Sequence, residues 1–412
     1  MFKNYISERR QVVRTFCSGI GKTAVIYPVT FLSAIATNTI GLGIIFFVND
    51  VFKATPSQIG WLCATWPLCY FAGCILLRPI SNRLLPRYNI LIGLTLTFLS
   101  VTGIIISPSL VWIFVLYGFM GLSTTFLWPQ IMGWLFLRIE GDILNREMGR
   151  FNICWSLGVI IGPMLAGYLS EIDSILPIRF ACALFLALVF MMTGAIMTLS
   201  RLSHDDPIHM EEKRVAATGN ADGSFLRFPA WLGLFTSYFI AGVIIAIFPI
   251  SVQKDLHITK GIIGVLLFIR AFTNTMGFYV MARTKFWHFR IGQMTIGILA
   301  LGFITFLMAG TQSTVIIGFL LAMLGLFTAQ SYTNSQFHSI SGSTKRSSLM
   351  AIHESVIAIG MIFGSSIGGI IYQRWNMPVL YLCCAALACA TAATQFIMTV
   401  RHNRRCNYSG AK

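Results

Sequence analysis

Charge is scarce in this sequence. Asp, Glu, Lys and Arg make up 11% of the 412 residues, against 56% for the hydrophobic types. A soluble domain carries about 25% charged residues. A chain this poor in charge cannot cover its surface for water, so most of that surface is expected to face lipid. Acidic residues are scarcer still, 14 against 30 Lys and Arg, for a net charge of +16. In a soluble protein that imbalance would point to nucleic acid. Here the basic residues sit in short polar segments between long apolar runs, the pattern of Lys and Arg retained on the cytoplasmic side of a membrane, and no nucleic-acid partner is expected.

Catalytic and metal-ligating patterns are missing too. There is no His-Glu-x-x-His, no nucleophile elbow and no pair of soluble carboxylates, so no enzyme, cofactor or metal is expected. The ten cysteines form no Cys-x-x-Cys; Cys63, Cys69, Cys74, Cys154, Cys182, Cys383, Cys384 and Cys389 lie in apolar stretches and read as small buried hydrophobes. Gly19-x-Gly21-Lys22-Thr23 mimics a phosphate loop, but Phe16 stands where that loop needs its first glycine and no strand precedes it. A cleavable leader is not expected either. Ala34-Ile35-Ala36 looks like a cleavage site, yet the apolar run from Ala24 continues to Val48, long enough to span a bilayer.

What the chain has is apolar runs of spanning length, at about 24–48, 58–77, 88–107, 110–137, 149–170, 178–200, 230–252, 260–282, 291–309, 313–337, 350–372 and 378–399. Lipid offers no partner to backbone N–H and C=O groups, so each run must be helical; strands of a barrel would be about ten residues long with strict alternation. An all-α membrane protein of twelve transmembrane helices is expected. A polar stretch from Arg201 to Phe228 separates the first six from the last six, giving domains at 1–200 and 229–412 with a cytoplasmic linker at 201–228. With the N-terminus in the cytoplasm, only Lys53, Arg179, Lys254, Lys260 and Arg374 fall outside and Arg270 within a span; every other Lys and Arg is inside. A missed helix would scramble that alternation. Both termini are therefore expected in the cytoplasm, and the short loops fit a bacterial inner membrane.

The two halves repeat. An offset of 204 places Gly60, Gly73 and Gly121 on Gly264, Gly277 and Gly325, and Ile59-Gly60-Trp61-Leu62 on Ile263-Gly264-Val265-Leu266. An offset of 202 places Gly158, Gly162 and Gly167 on Gly360, Gly364 and Gly369. Duplicated helical halves are typical of secondary transporters, with the solute site near the midplane between them.

The most specific segment is Gly149-x8-Gly158-x3-Gly162-Pro163-x2-Ala166-Gly167. Glycines four apart let helices approach backbone to backbone, and Pro163 removes one helix hydrogen bond. Together with twelve helices in 6+6 form and the central polar stretch, this run resembles the antiporter motif of the major facilitator superfamily, with Ala166 where the family usually has glycine. The resemblance covers nearly the whole chain. It implies two pseudo-symmetric six-helix bundles, alternating access to a central cavity, and transport of a small solute, with a coupling ion (H+ or Na+), the bilayer as the other partner, and a monomer. The family's signature between helices two and three is degenerate: Arg83 matches, Asn82 replaces the acid, and Arg78 and Leu85 replace glycines. The arginine and aspartate usual in proton-coupled drug exporters are absent from helices four and one, where Tyr117 and Thr37-Asn38-Thr39 stand.

Ionisable groups inside a membrane are functional candidates. Arg270, midway along helix eight, suits an anionic solute or a partner such as Glu354, and Asn274 lies one turn on. Glu354, the one acid in a predicted span, follows His353; it suits a proton carrier or an acid at a helix N-terminus. Asn38, Trp128, Gln130, Tyr238, Gln330 and Asn334 suit a solute site or interhelical hydrogen bonds. Three functions follow from these features: a carrier of a small organic anion, an exporter of lipophilic or cationic compounds, and a membrane receptor or scaffold that transports nothing.

Overall fold

The computed structural model describes residues 23–81, 83–135, 141–198, 225–284, 286–341 and 346–409. Asn82 and most of the expected linker lie outside these residues. Among the described residues, twelve helices are long and apolar enough to cross a membrane. They are α1 (Thr23–Phe52), α2 (Pro56–Leu76), α3 (Pro86–Ile105), α4 (Leu110–Leu135), α5 (Gly141–Ile172), α6 (Leu176–Thr198), α7 (Arg227–Ala246), α8 (Lys260–Arg283), α9 (Ile291–Gly310), α10 (Thr314–Ile340), α11 (Arg346–Arg374) and α12 (Met377–Ser409). Large apolar side chains such as Phe190, Phe303, Val315 and Phe319 cover the outside, as a lipid-facing belt requires. For the cysteines this is a correction: among the eight described ones only Cys384 is fully buried, while Cys383 and Cys389 are exposed, because lipid accepts a thiol as readily as a core does.

Two helices are interrupted where proline removes a backbone donor. The span α4 breaks between Thr124 and Trp128, with Pro129 just beyond, and α7 breaks at Ile247 before continuing as Phe248–Asp255 with Pro249 in its first turn. Thr124 and Thr125 donate back to the carbonyls of Gly121 and Leu122 at the first break. The repeat mate of Pro129 is Thr333, and α10 runs through unbroken.

Helices α1–α6 and α7–α12 form two bundles with the same packing pattern. The contact of α1 with α5 is repeated by α7 with α11, α2 with α4 by α8 with α10, and α3 with α6 by α9 with α12. The repeat holds to the residue. Gly121 packs on the Trp66 carbonyl and the Tyr70 amide nitrogen, and Gly325 packs on the Arg270 carbonyl and the Asn274 amide nitrogen, each pair 204 apart. Even the hairpin corners match. Lys53 and His257 take positive φ (50° and 52°), and Thr55 and Thr259 cap α2 and α8 through their side chains.

Between bundles the main contacts are α5 with α8 and α2 with α11, again a symmetric pair. They are tight at the end of the molecule opposite the chain termini. Gly167 meets Gly264, and Gly60 meets Gly369, so closely that a Cβ on any of the four would collide with backbone across the interface. Four hydrogen bonds join the bundles here. The Gly261 amide donates to Glu171 Oε1 (2.9 Å) and its repeat mate, the Ser57 amide, donates to Gln373 Oε1 (3.1 Å). Lys260 Nζ donates to the Ser170 carbonyl (3.1 Å) and pairs with Asp50. Leu42, Phe46 and Ala166 of the first bundle are buried within the core of the second, and Ile250 within the core of the first. The bundles are thus sealed at this end.

Candidate functional site

Toward the terminal end the facing helices carry a set of polar and aromatic side chains. Trp66, Tyr70 and Cys74 recur every four residues, on one face of α2. Trp66 and Tyr70 stack in parallel, with centroids 5.4 Å apart and 5° between planes. From the other bundle, Tyr238 of α7 stands 6.3 Å from Tyr332 of α10, which also packs edge-on against Phe278 of α8 (5.3 Å) and His353 of α11 (4.9 Å). Glu354 opens into the space between them, with 63% of its side chain exposed. Its carboxylate lies within electrostatic reach of Tyr70 and Cys74 in one bundle and of Tyr238 and Tyr332 in the other.

Arg270 enters the same space from α8. It is half-buried, and Tyr238 is the group its charge acts upon. It makes no ion pair with Glu354, which lies 4.0 Å from the buried His353 Nε2. The Arg270 Nε and the Asn274 Oδ1 are buried and have no hydrogen-bond partner in the protein. Trp66 Nε1, at the repeat mate of Arg270, is buried and unpartnered as well. A buried polar group left unpaired costs about 1–3 kcal/mol.

Other residues singled out from the sequence are packed or hydrogen-bonded within the helices. Trp128 is buried in the core of the first bundle. Gln130 donates to Ser81 Oγ (2.7 Å), Gln330 to the Gln293 carbonyl (2.8 Å) and Asn38 to the Ala34 carbonyl (2.8 Å). Asn334 is 2% exposed, with its Oδ1 unpartnered. His353 is fully buried, with Nδ1 2.9 Å from Ser335 Oγ, so it fastens α11 to α10 while its neighbour Glu354 faces the cavity.

The glycine-proline run divides its work between two contacts. Gly158 and Gly162 pack on Ala34 and Asn38 of α1, within their own bundle, whereas the Pro163 carbonyl and Gly167 press on Gly264 across the interface. Gly149 lies in the first part of α5 and Arg83 is exposed between α2 and α3. Sequence reasoning passed over Trp66 and Tyr70. The signal was present, since the 204 offset that aligns the glycines also places them on Arg270 and Asn274.

The profile of the Major Facilitator Superfamily matches residues 26–228 and 230–407. The chain belongs to the major facilitator superfamily. It is a secondary transporter of the alternating-access fold and an integral membrane protein, not an enzyme. Among curated superfamily members it is similar to Multidrug resistance protein 1 of Bacillus subtilis (strain 168), at 22% identity over 375 residues, spanning 86% of this chain and 92% of that protein. Its fold is similar to that of the nucleoside transporter NupG (TM-score 0.71, 14% identity, 91% of this chain and 98% of that one). It is also similar to a bacterial homologue of the human lysosomal transporter Spinster in an inward-facing, occupied conformation (TM-score 0.68, 11% identity, 91% and 95%).

Proposed function

We propose that this superfamily member carries a small organic anion, with Arg270 as the group that holds its charge. One observation carries the reading: a half-buried guanidinium stands midway along a membrane-spanning helix, its Nε unpartnered, with no acid paired to it. A carboxylate or phosphate on the solute would complete it through charge-assisted hydrogen bonds, and Asn274, one turn away, would add its amide. Glu354 serves as the proton-coupling group, because it opens into the same cavity and acts on tyrosines of both bundles. The terminal end is cytoplasmic, as the placement of Lys and Arg requires, so the structure is sealed on the outer side.

The test is thermal stability of the purified protein against panels of organic anions, sugars, amino acids and lipophilic cations. A ligand at a hundred times its Kd stabilises by about 2.7 kcal/mol. Carboxylates or phosphates are expected to raise the melting temperature of wild type and to leave Arg270→Ala unmoved.

A second reading, export of lipophilic cations, is favoured by the similarity to Multidrug resistance protein 1 and by the carboxylate of Glu354 among aromatic rings. It predicts the reverse pattern, with cations stabilising wild type and Arg270→Ala alike.

A further inference from the structure

We infer that the second bundle holds, at the end opposite the chain termini, a binding site for a small organic ammonium group. A cavity of about 180 Å³ lies there between the end of α9, the start of α12 and the Phe248–Asp255 helix that continues α7. Its lining includes neither Arg270 nor Glu354, so its occupancy is independent of any solute held at Arg270. Sites for drug-sized ligands run to about 300–1,000 Å³, so this one suits a group of only a few heavy atoms.

The lining is electrically negative. Asp255 contributes to it from the last turn of its helix, where the dipole disfavours an acid. Met308, Ala309 and Gly310 contribute from the end of α9, and the chain leaves that helix extended at Thr311 (φ −109°, ψ 140°), so the last carbonyls gain no following turn. A carboxylate and two helix C-termini thus converge on one space. The Tyr372 hydroxyl donates to both Asp255 oxygens (3.1 and 3.2 Å), which orients the carboxylate but leaves its charge in place. Lys254, the preceding residue, is exposed and is not part of the lining.

The remaining walls select the class of cation. Val252, Ile317 and Met377 are apolar; they suit methyl and methylene groups and cannot replace the oxygen ligands of an inorganic ion. Among the described residues no three His, Cys, Asp or Glu side chains gather to hold a metal. Tyr381 lines the cavity while only 5% exposed, and its hydroxyl has no hydrogen-bond partner among the described residues. An aromatic ring attracts an ammonium over its face, and the hydroxyl oxygen can accept from one that carries N–H.

The test is equilibrium binding of choline and of its uncharged tert-butyl isostere to the full-length protein in maltoside detergent. Wild type is expected to bind choline at least about tenfold more tightly, the size of one contact with a charged group. Asp255→Asn, which keeps the shape of the side chain, should remove that preference, and Glu354→Gln should keep it. If Asp255→Asn does not fold, Tyr381→Leu should weaken choline about threefold and leave the isostere unchanged. Equal binding of the two compounds to wild type, or a preference that survives Asp255→Asn, overturns the site. A preference lost in Glu354→Gln and kept in Asp255→Asn places the cation beside Glu354 and overturns it too. Displacement of choline by a short-chain phosphatidylcholine identifies the occupant as a lipid headgroup, and failure to displace it identifies a free ammonium; the site stands in both cases.

Discussion

At the scale of single residues, the cavity sets two opposite charges at separate stations. Arg270 makes no ion pair with Glu354, and the Glu354 side chain is exposed. A carboxylate that takes up and releases a proton between two conformations couples transport to a proton gradient. Glu354→Gln keeps the shape and the hydrogen-bonding amide but holds no charge. It is expected to remove the response of solute uptake to an imposed pH gradient in proteoliposomes while the ligand-induced rise in melting temperature remains. Uptake by the variant that still follows the gradient would place coupling elsewhere. Arg270, Asn274, Tyr238 and Glu354 stand out as candidates in the sequence because each is a charge, amide or phenol in an apolar run. Trp66 and Tyr70 do not, since aromatic residues are common in membrane helices and their polar atoms matter only once their surroundings are known.

At the scale of helices, the repeat explains why the seal at the end opposite the chain termini has the form it does. The last turn of α5 caps the first turn of α8 through Glu171, and the last turn of α11 caps the first turn of α2 through Gln373. A helix N-terminus offers unpaired amides and a partial positive charge, so a side-chain oxygen from the other bundle closes it. The two caps differ in charge. Glu171→Ala should therefore open the outer end more than Gln373→Ala, by about 1 kcal/mol for the amide cap and somewhat more for the carboxylate. Labelling of a single cysteine at exposed Asp173 with an impermeant maleimide reads this out. Equal labelling of the two variants and wild type would show the caps contribute nothing to closure. The caps were hidden in the sequence because Asp50, Glu171 and Gln373 sit at helix ends, where a polar residue is ordinary; only the partner helix gives them a role.

At the scale of the molecule, each bundle has its own core and the two share buried apolar surface at one end. Alternating access then means breaking that seal and forming another. The Asp50–Lys260 pair is part of it, partly exposed (30% and 16%), so it is worth about 1 kcal/mol or less. Lys260→Ala should shift the closed-to-open ratio by up to about fivefold and leave the fold intact. Spin labels at Asp173 and Lys254, on opposite bundles, should show a larger fraction of long distances in the variant. An unchanged distribution would mean that the glycine contacts alone hold the seal.

The sequence by itself determined twelve spans, two repeated halves and a helical fold, because lipid leaves the backbone no other way to satisfy its hydrogen bonds and because the 204-residue offset survives in glycines that close packing does not let change. The tertiary structure alone decided which polar residues meet. The spans are apolar on nearly every side, so no stripe of hydrophobicity tells the face toward lipid from the face toward the cavity. Gln130, Gln330 and Asn38 looked as good as Arg270 along the chain, and only the folded chain shows that these three donate to nearby groups while the Arg270 Nε is unpartnered.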